Sequence, residues 1–69
     1  MTNNETRFDV LPNAGDGWRI ARNGRTVFRG ATKREVLTEA RRRARNTNGQ
    51  SHLIVRGQNG RIVDNVYYR

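Results

Sequence analysis

Trp18-Arg19-Ile20-Ala21-Arg22-Asn23-Gly24-Arg25-Thr26-Val27-Phe28-Arg29, followed by Gly30-Ala31-Thr32-Lys33-Arg34-Glu35, is the stretch whose reading decides the fold. Asn-Gly is the preferred pair for a two-residue type I′ turn, because both central residues need a positive φ. Two strands, 18–22 and 25–29, are therefore expected around Asn23-Gly24. A regular ladder would place Arg22 opposite Arg25, Ala21 opposite Thr26, Ile20 opposite Val27, Arg19 opposite Phe28 and Trp18 opposite Arg29. Side chains alternate along a strand. One face should then carry Trp18, Ile20 and Val27, and the other Arg19, Ala21, Thr26 and Phe28.

The second half of the stretch starts a helix. Thr32 and Glu35 stand three apart, the spacing of a capping box. A helix over about 33–46 follows, and Asn46 to Gly49 should close it, with Gly49 as a left-handed stop. Val36, Leu37, Ala40 and Ala44 share one narrow arc, so the helix should cover the Trp18/Ile20/Val27 face. Upstream, residues 7–11 alternate as a strand that Pro12 ends. Downstream, 52–56 and 61–68 read as strands around Gly57-Gln58-Asn59-Gly60. Their apolar residues fall on both faces, which leaves their register open. The expected fold class is α+β, an antiparallel sheet of about five strands with one helix packed on one face, in the order βββαββ. Residues 1–6 should form a disordered tail and 7–69 a single domain.

These motifs, in this order, resemble a family of short prokaryotic proteins catalogued as domain of unknown function 2188. The resemblance rests on Gly17-Trp18 opening the second strand, the Thr32-Lys33-x-Glu35 helix start, Ala40 and Ala44, and Gly57-Gln58-Asn59-Gly60-Arg61-Ile62. It covers roughly residues 8–68. Val36 stands where the family often has alanine, and Asn59-Gly60 where it often has Asp-Gly. The resemblance implies a fold and no catalytic residue set. The Trp-bearing strand, hairpin and Thr-capped helix are also similar to plant ethylene-response DNA-binding domains, a fold-level analogy only.

Composition narrows the function. Fourteen basic residues, all arginine except Lys33, face six acidic ones, for a formal charge of +8 over 69 residues. Arginine's planar fork suits phosphate, although a charge excess alone speaks only to solubility and non-specific binding. Cysteine is absent, so no disulfide or thiolate metal site is expected. The N-terminal residues lack the apolar stretch of a secretory signal, and no run is long enough for a membrane span. The expected location is the cytoplasm, with no membrane partner.

Chemistry finds little material. The only histidine, His52, follows the only serine, Ser51. Neighbours on a strand point to opposite faces, so the two cannot act as base and nucleophile. No cluster of metal ligands and no phosphate-cradling loop is evident. We therefore expect no enzyme activity, no metal, no cofactor and no small-molecule substrate.

The arginines are distributed unevenly. On the helix, Arg34, Arg41 and Arg45 fall within about 40° of one another at 100° per residue. They have no acid on their side, and Arg42 lies about 60° further round. Glu39 sits near Arg43, its i,i+4 partner. Arg34 is the telling member, because a cation in a first helical turn opposes the helix dipole. The expected nucleic-acid-binding residues are Arg34, Arg41, Arg42 and Arg45, with Arg22 and Arg25 at the hairpin tip. A second expected surface is the open sheet face, where Arg19 beside Phe28 would suit base stacking or a homodimer interface. The partner is thus nucleic acid held through phosphate, with a protein-interaction or homodimeric structural role as the alternative.

Overall fold

The computed structural model describes residues 5–68. Strands β1 (Thr6–Pro12), β2 (Trp18–Arg22) and β3 (Arg25–Gly30) precede helix α1 (Lys33–Asn46), and β4 (Ser51–Arg56) and β5 (Ile62–Tyr68) follow it. The boundaries lie within a residue of those read from the sequence. Of the expected tail, residues 1–4 lie outside the described residues. Thr6 already belongs to β1, where it is buried and donates its N–H to the Gln50 carbonyl at 2.9 Å.

The sheet is mixed, which corrects the antiparallel expectation. Its strands do not lie in chain order: across the sheet they run β3-β2-β1-β4-β5. β1 pairs antiparallel with β2 and parallel with β4, while β4 and β5 form an antiparallel pair. The parallel pair has a physical origin. α1 carries the chain back across the sheet, so β4 starts from the same end as β1.

The helix is held at both ends. Thr32 is in extended backbone, and its Oγ1 accepts from the Glu35 N–H at 3.2 Å. Glu35 returns a carboxylate oxygen to the Ala31 N–H at 3.1 Å, one residue further out than the usual capping box reaches. At the other end the hydroxyls of Thr47 and Ser51 donate to the carbonyls of Arg43 and Ala44, at 2.7 and 2.9 Å. Those hydroxyls satisfy carbonyls that the last turn leaves free. Gly49 has positive φ, as expected, but sits beyond this cap.

Val36, Ala40 and Ala44 are fully buried against Phe8 and Val10 of β1, Ile20 of β2, and Leu53 and Val55 of β4. The alanines let the helix lie close, and its three buried residues with the five sheet residues beneath them form the core cluster.

The hairpin departs from the regular ladder. Asn23 and Gly24 have the positive φ values of the expected turn, and Arg22–Arg25 and Ala21–Thr26 pair as predicted. A bulge between Ile20 and Ala21 then shifts the register by one. Ile20 faces Phe28 rather than Val27, Arg19 faces Arg29, and Trp18 faces Gly30. Phe28 therefore packs against the core under the helix, while Val27 turns out to solvent. A bulge gives the strand one extra residue and re-aims its side chains; here it exchanges the smaller valine for phenylalanine on the core face. Trp18 lies on the helix face as expected. It is only half-buried, with the Lys33 ammonium 5.1 Å from its ring centre.

Gly17, just before β2, is needed for two reasons. Its φ is +75°, and a Cβ there would lie 2.5 Å from the Gly30 carbonyl oxygen. Left-handed backbone and a backbone clash both penalise a side chain. Gly17→Ala should lower unfolding stability by about 2–4 kcal/mol, measured by urea denaturation. Wild-type stability in that variant would show that the β1–β2 loop does not constrain the hairpin.

Candidate nucleic-acid interface

Three groups of arginines result from this fold, and their acidic partners distinguish them. On the helix, Glu39 holds two. Arg42 donates from Nε and Nη2 to the two carboxylate oxygens at 3.1 and 2.6 Å, and Arg43 donates from Nε at 2.8 Å. These hydrogen bonds, Arg42's first and then Arg43's, pull the Glu39 carboxyl down to about 2 and push the Arg42 guanidinium up. Arg43 also lies 5.6 Å above the Phe28 ring, which fixes this side of the helix over β3.

Arg34, Arg41 and Arg45 occupy the opposite flank, on the side of α1 turned away from β3. All three are exposed, and none makes an ion pair among the described residues. Thr38, between them on the wheel, turns its hydroxyl inward to the Arg34 carbonyl at 3.0 Å. The expected stripe is thus present as a free cationic flank. Arg42, expected among the nucleic-acid ligands, is instead bound to Glu39.

The hairpin tip is separate. Arg22 and Arg25 are exposed and directly opposite each other. The Arg22 guanidinium is 5.9 Å from the Phe8 ring centre. The tip lies on the β3 side of the helix, away from the Arg34/Arg41/Arg45 flank, so the six expected residues do not form one continuous surface.

The third group lies on the open face of the sheet. Arg7, Asp9 and Leu11 alternate with the core residues of β1 and line a groove of about 800 Å³ with Arg19 and Arg56. Asp9 is buried at its centre. Arg7 donates from Nε to one of its carboxylate oxygens at 2.8 Å, and Arg56 donates to the other at 3.2 Å. The hydrogen bond to Asp9 raises the Arg7 pKa above its ordinary value. Arg19 donates to the Thr26 hydroxyl at 2.8 Å. Phe28 is absent from this face because of the bulge, so the expected Arg19–Phe28 stacking pair does not form.

Asp9 and Arg56 were not singled out from the sequence. Alternation along β1 could have put Arg7 and Asp9 together. The Asp9–Arg56 pair bridges 47 residues and depends on the parallel β1–β4 register, for which there is no local signal. His52 is half-buried on the same face, its ring stacked on Tyr67 at 4.0 Å with Nε2 3.1 Å from the Asn65 side-chain oxygen. Among the described residues, no group of three His, Cys, Asp or Glu is placed to hold a metal ion. No described helix is long and apolar enough to cross a membrane.

Glu39 titration should be visible in stability. Its folded pKa lies below its ordinary value, so its contribution is complete above the ordinary carboxylate range and is lost as pH falls toward about 2. Glu39→Gln should therefore lower the melting temperature at pH 7 and have little effect near pH 2. Equal destabilisation at both pH values would show that the Glu39 carboxylate does not anchor Arg42 and Arg43.

No curated protein matches the chain, and no solved structure does. A family match covers residues 8–65, from the central strand into the last one. The chain belongs to the family described as "Uncharacterized protein conserved in bacteria (DUF2188)".

Proposed function

We propose that this domain is a non-catalytic nucleic-acid-binding module of the bacterial cytoplasm that grips phosphates with Arg34, Arg41 and Arg45. The observation that carries the reading is the contrast between free and occupied arginines. Asp9 occupies Arg7 and Arg56, and Glu39 occupies Arg42 and Arg43, whereas among the described residues the helix flank keeps three exposed guanidinium groups in one row without an acid. Successive members of that flank are four to seven residues apart on one rigid helix, about 6–10 Å at 1.5 Å per residue. That spacing sets the three guanidinium groups in one row along the helix, where they can meet one run of backbone phosphates. Contacts of this kind position a protein on a backbone and read no base sequence.

The test is a titration against random-sequence duplex DNA, single-stranded DNA and duplex RNA at several salt concentrations. Counterion release predicts a log–log salt slope of about −0.9 per phosphate neutralised on duplex DNA. A three-arginine site should give a slope of roughly −3, and Arg34→Gln/Arg41→Gln/Arg45→Gln should remove most of it without unfolding the domain. Glu39→Gln should strengthen binding by releasing Arg42. Absence of affinity at about 50 mM salt, or a slope unchanged in the triple variant, would refute the proposal.

A further inference from the structure

The two edges of the sheet differ in a way that points to a partner. The β3 edge carries the exposed Arg25 and Arg29, a common defence against unwanted strand pairing. β5 has no such cation, and its one irregularity is a bulge at Val63, near its start. From Ile62 to Tyr68 it has no cation and one acid, Asp64, in a chain of formal charge +8. Ile62, Val63, Val66 and Tyr67 are all exposed, Val63 and Tyr67 at 60% and 66%. Among the described residues the strand pairs with β4 on one side only, which leaves its outer backbone groups facing away from the sheet, where another strand can pair.

We propose that β5 is the seam of a two-fold homodimer in which the β5 strands of two copies pair antiparallel into one ten-stranded sheet. A second copy fits because β5 itself carries no cation, so two strongly cationic chains can meet backbone to backbone along it. The strand is also compatible with itself. A two-fold pairing must set one residue opposite its own copy. Centring on Asp64 would oppose two carboxylates, but centring on Asn65 or Val66 opposes only neutral groups. Centred on Val66, Asn65 faces the partner's Tyr67, and Asp64 faces the partner's Tyr68.

The symmetry has a functional consequence, which rests on the nucleic-acid reading above. A two-fold axis perpendicular to the sheet keeps both helices on one face. The Arg34/Arg41/Arg45 flank lies on the β5 side of each helix. In the dimer the two flanks therefore face each other across the seam, forming the walls of a basic trough floored by β5. Six unpaired arginines would then line one polyanion site.

Sedimentation of the full chain without nucleic acid tests the dimer independently. Edge pairing is a small interface of the weak class. A monomer–dimer equilibrium is expected at roughly 100 µM, shifting toward dimer as salt screens the facing arginines. Nucleic-acid affinity should shift in the opposite direction. Val63→Lys/Tyr67→Lys should remain folded by circular dichroism and become monomeric.

Because cysteine is absent, a spin label placed through Asn65→Cys reports the seam directly. In the dimer, inter-label distances should be below about 20 Å. Labels at Arg29→Cys should be about 40 Å apart, nine strand spacings of about 4.8 Å. A wild type that remains monomeric at millimolar concentration and high salt, or a short distance between the Arg29→Cys labels, overturns the dimer. If the chain dimerises but the triple arginine variant keeps its salt slope, the nucleic-acid reading fails and the seam stands.

Discussion

Phe8 and Val10 sit on a strand that is hydrogen-bonded on both sides, antiparallel to β2 and parallel to β4. Every buried residue of the helix packs onto the surface that β1 organises. Phe8 shares its rung with Leu53, and Val10 shares rungs with Ile20 and Val55. The same register sets the opposite face, where Asp9 lies beside Ile54 and reaches Arg56. One strand therefore fixes the core, the position of the helix and the ion-pair network on the open face. In a chain this short, a single thin core must supply most of the stability.

The acidic residues divide the arginines into bound and available sets. Asp9 ties down Arg7 along β1 and Arg56 across from β4, and Glu39 ties down two along the helix. Four guanidinium groups thus become part of the folded surface. Among the described residues, the arginines left without an acid are Arg34, Arg41 and Arg45 on one flank of α1, Arg22 and Arg25 at the hairpin tip, Arg29 on the β3 edge, Arg61 before β5, and Arg19, which donates to Thr26. Glu39 has a second effect. By bonding both Arg42 and Arg43, it holds a cation over Phe28 and steadies the helix against β3. The free flank is thereby presented on a helix fixed in rotation.

Much of this was legible in the residues. Asn23-Gly24 predicts the hairpin turn and its first two pairs, and Thr32/Glu35 predicts the helix start to the residue. The stripe of Arg34, Arg41 and Arg45 follows from helical geometry alone. The order of small structural motifs was enough to indicate the family. Two features were not legible, for different reasons. The bulge at Ile20/Ala21 depends on which side chain fills the core better, a tertiary preference that turn chemistry does not encode. The parallel β1–β4 pair depends on where the helix delivers the chain. The consecutive Leu53-Ile54-Val55 run hinted at a strand buried on both faces, and all three are buried. Without its pairing partner, however, that run could not place Arg56 beside Asp9. Glu39 with Arg43 was legible as an i,i+4 pair, whereas Asp9 was the harder acid to read, because it acts through a contact 47 residues away.

The central claim is that free arginines on one helix flank, rather than those of the open-face groove, meet the polyanion. Arginine-side-chain NMR of the labelled protein, titrated with a short DNA duplex at low salt, tests this most directly. The account predicts that the Nε–Hε signals of Arg34, Arg41 and Arg45 shift with saturating dependence on duplex. Those of Arg7 and Arg56, held by Asp9, should remain in place. Shifts confined to Arg7, Arg19 and Arg56, with the helix flank silent, would contradict the account and move the site to the open face of the sheet.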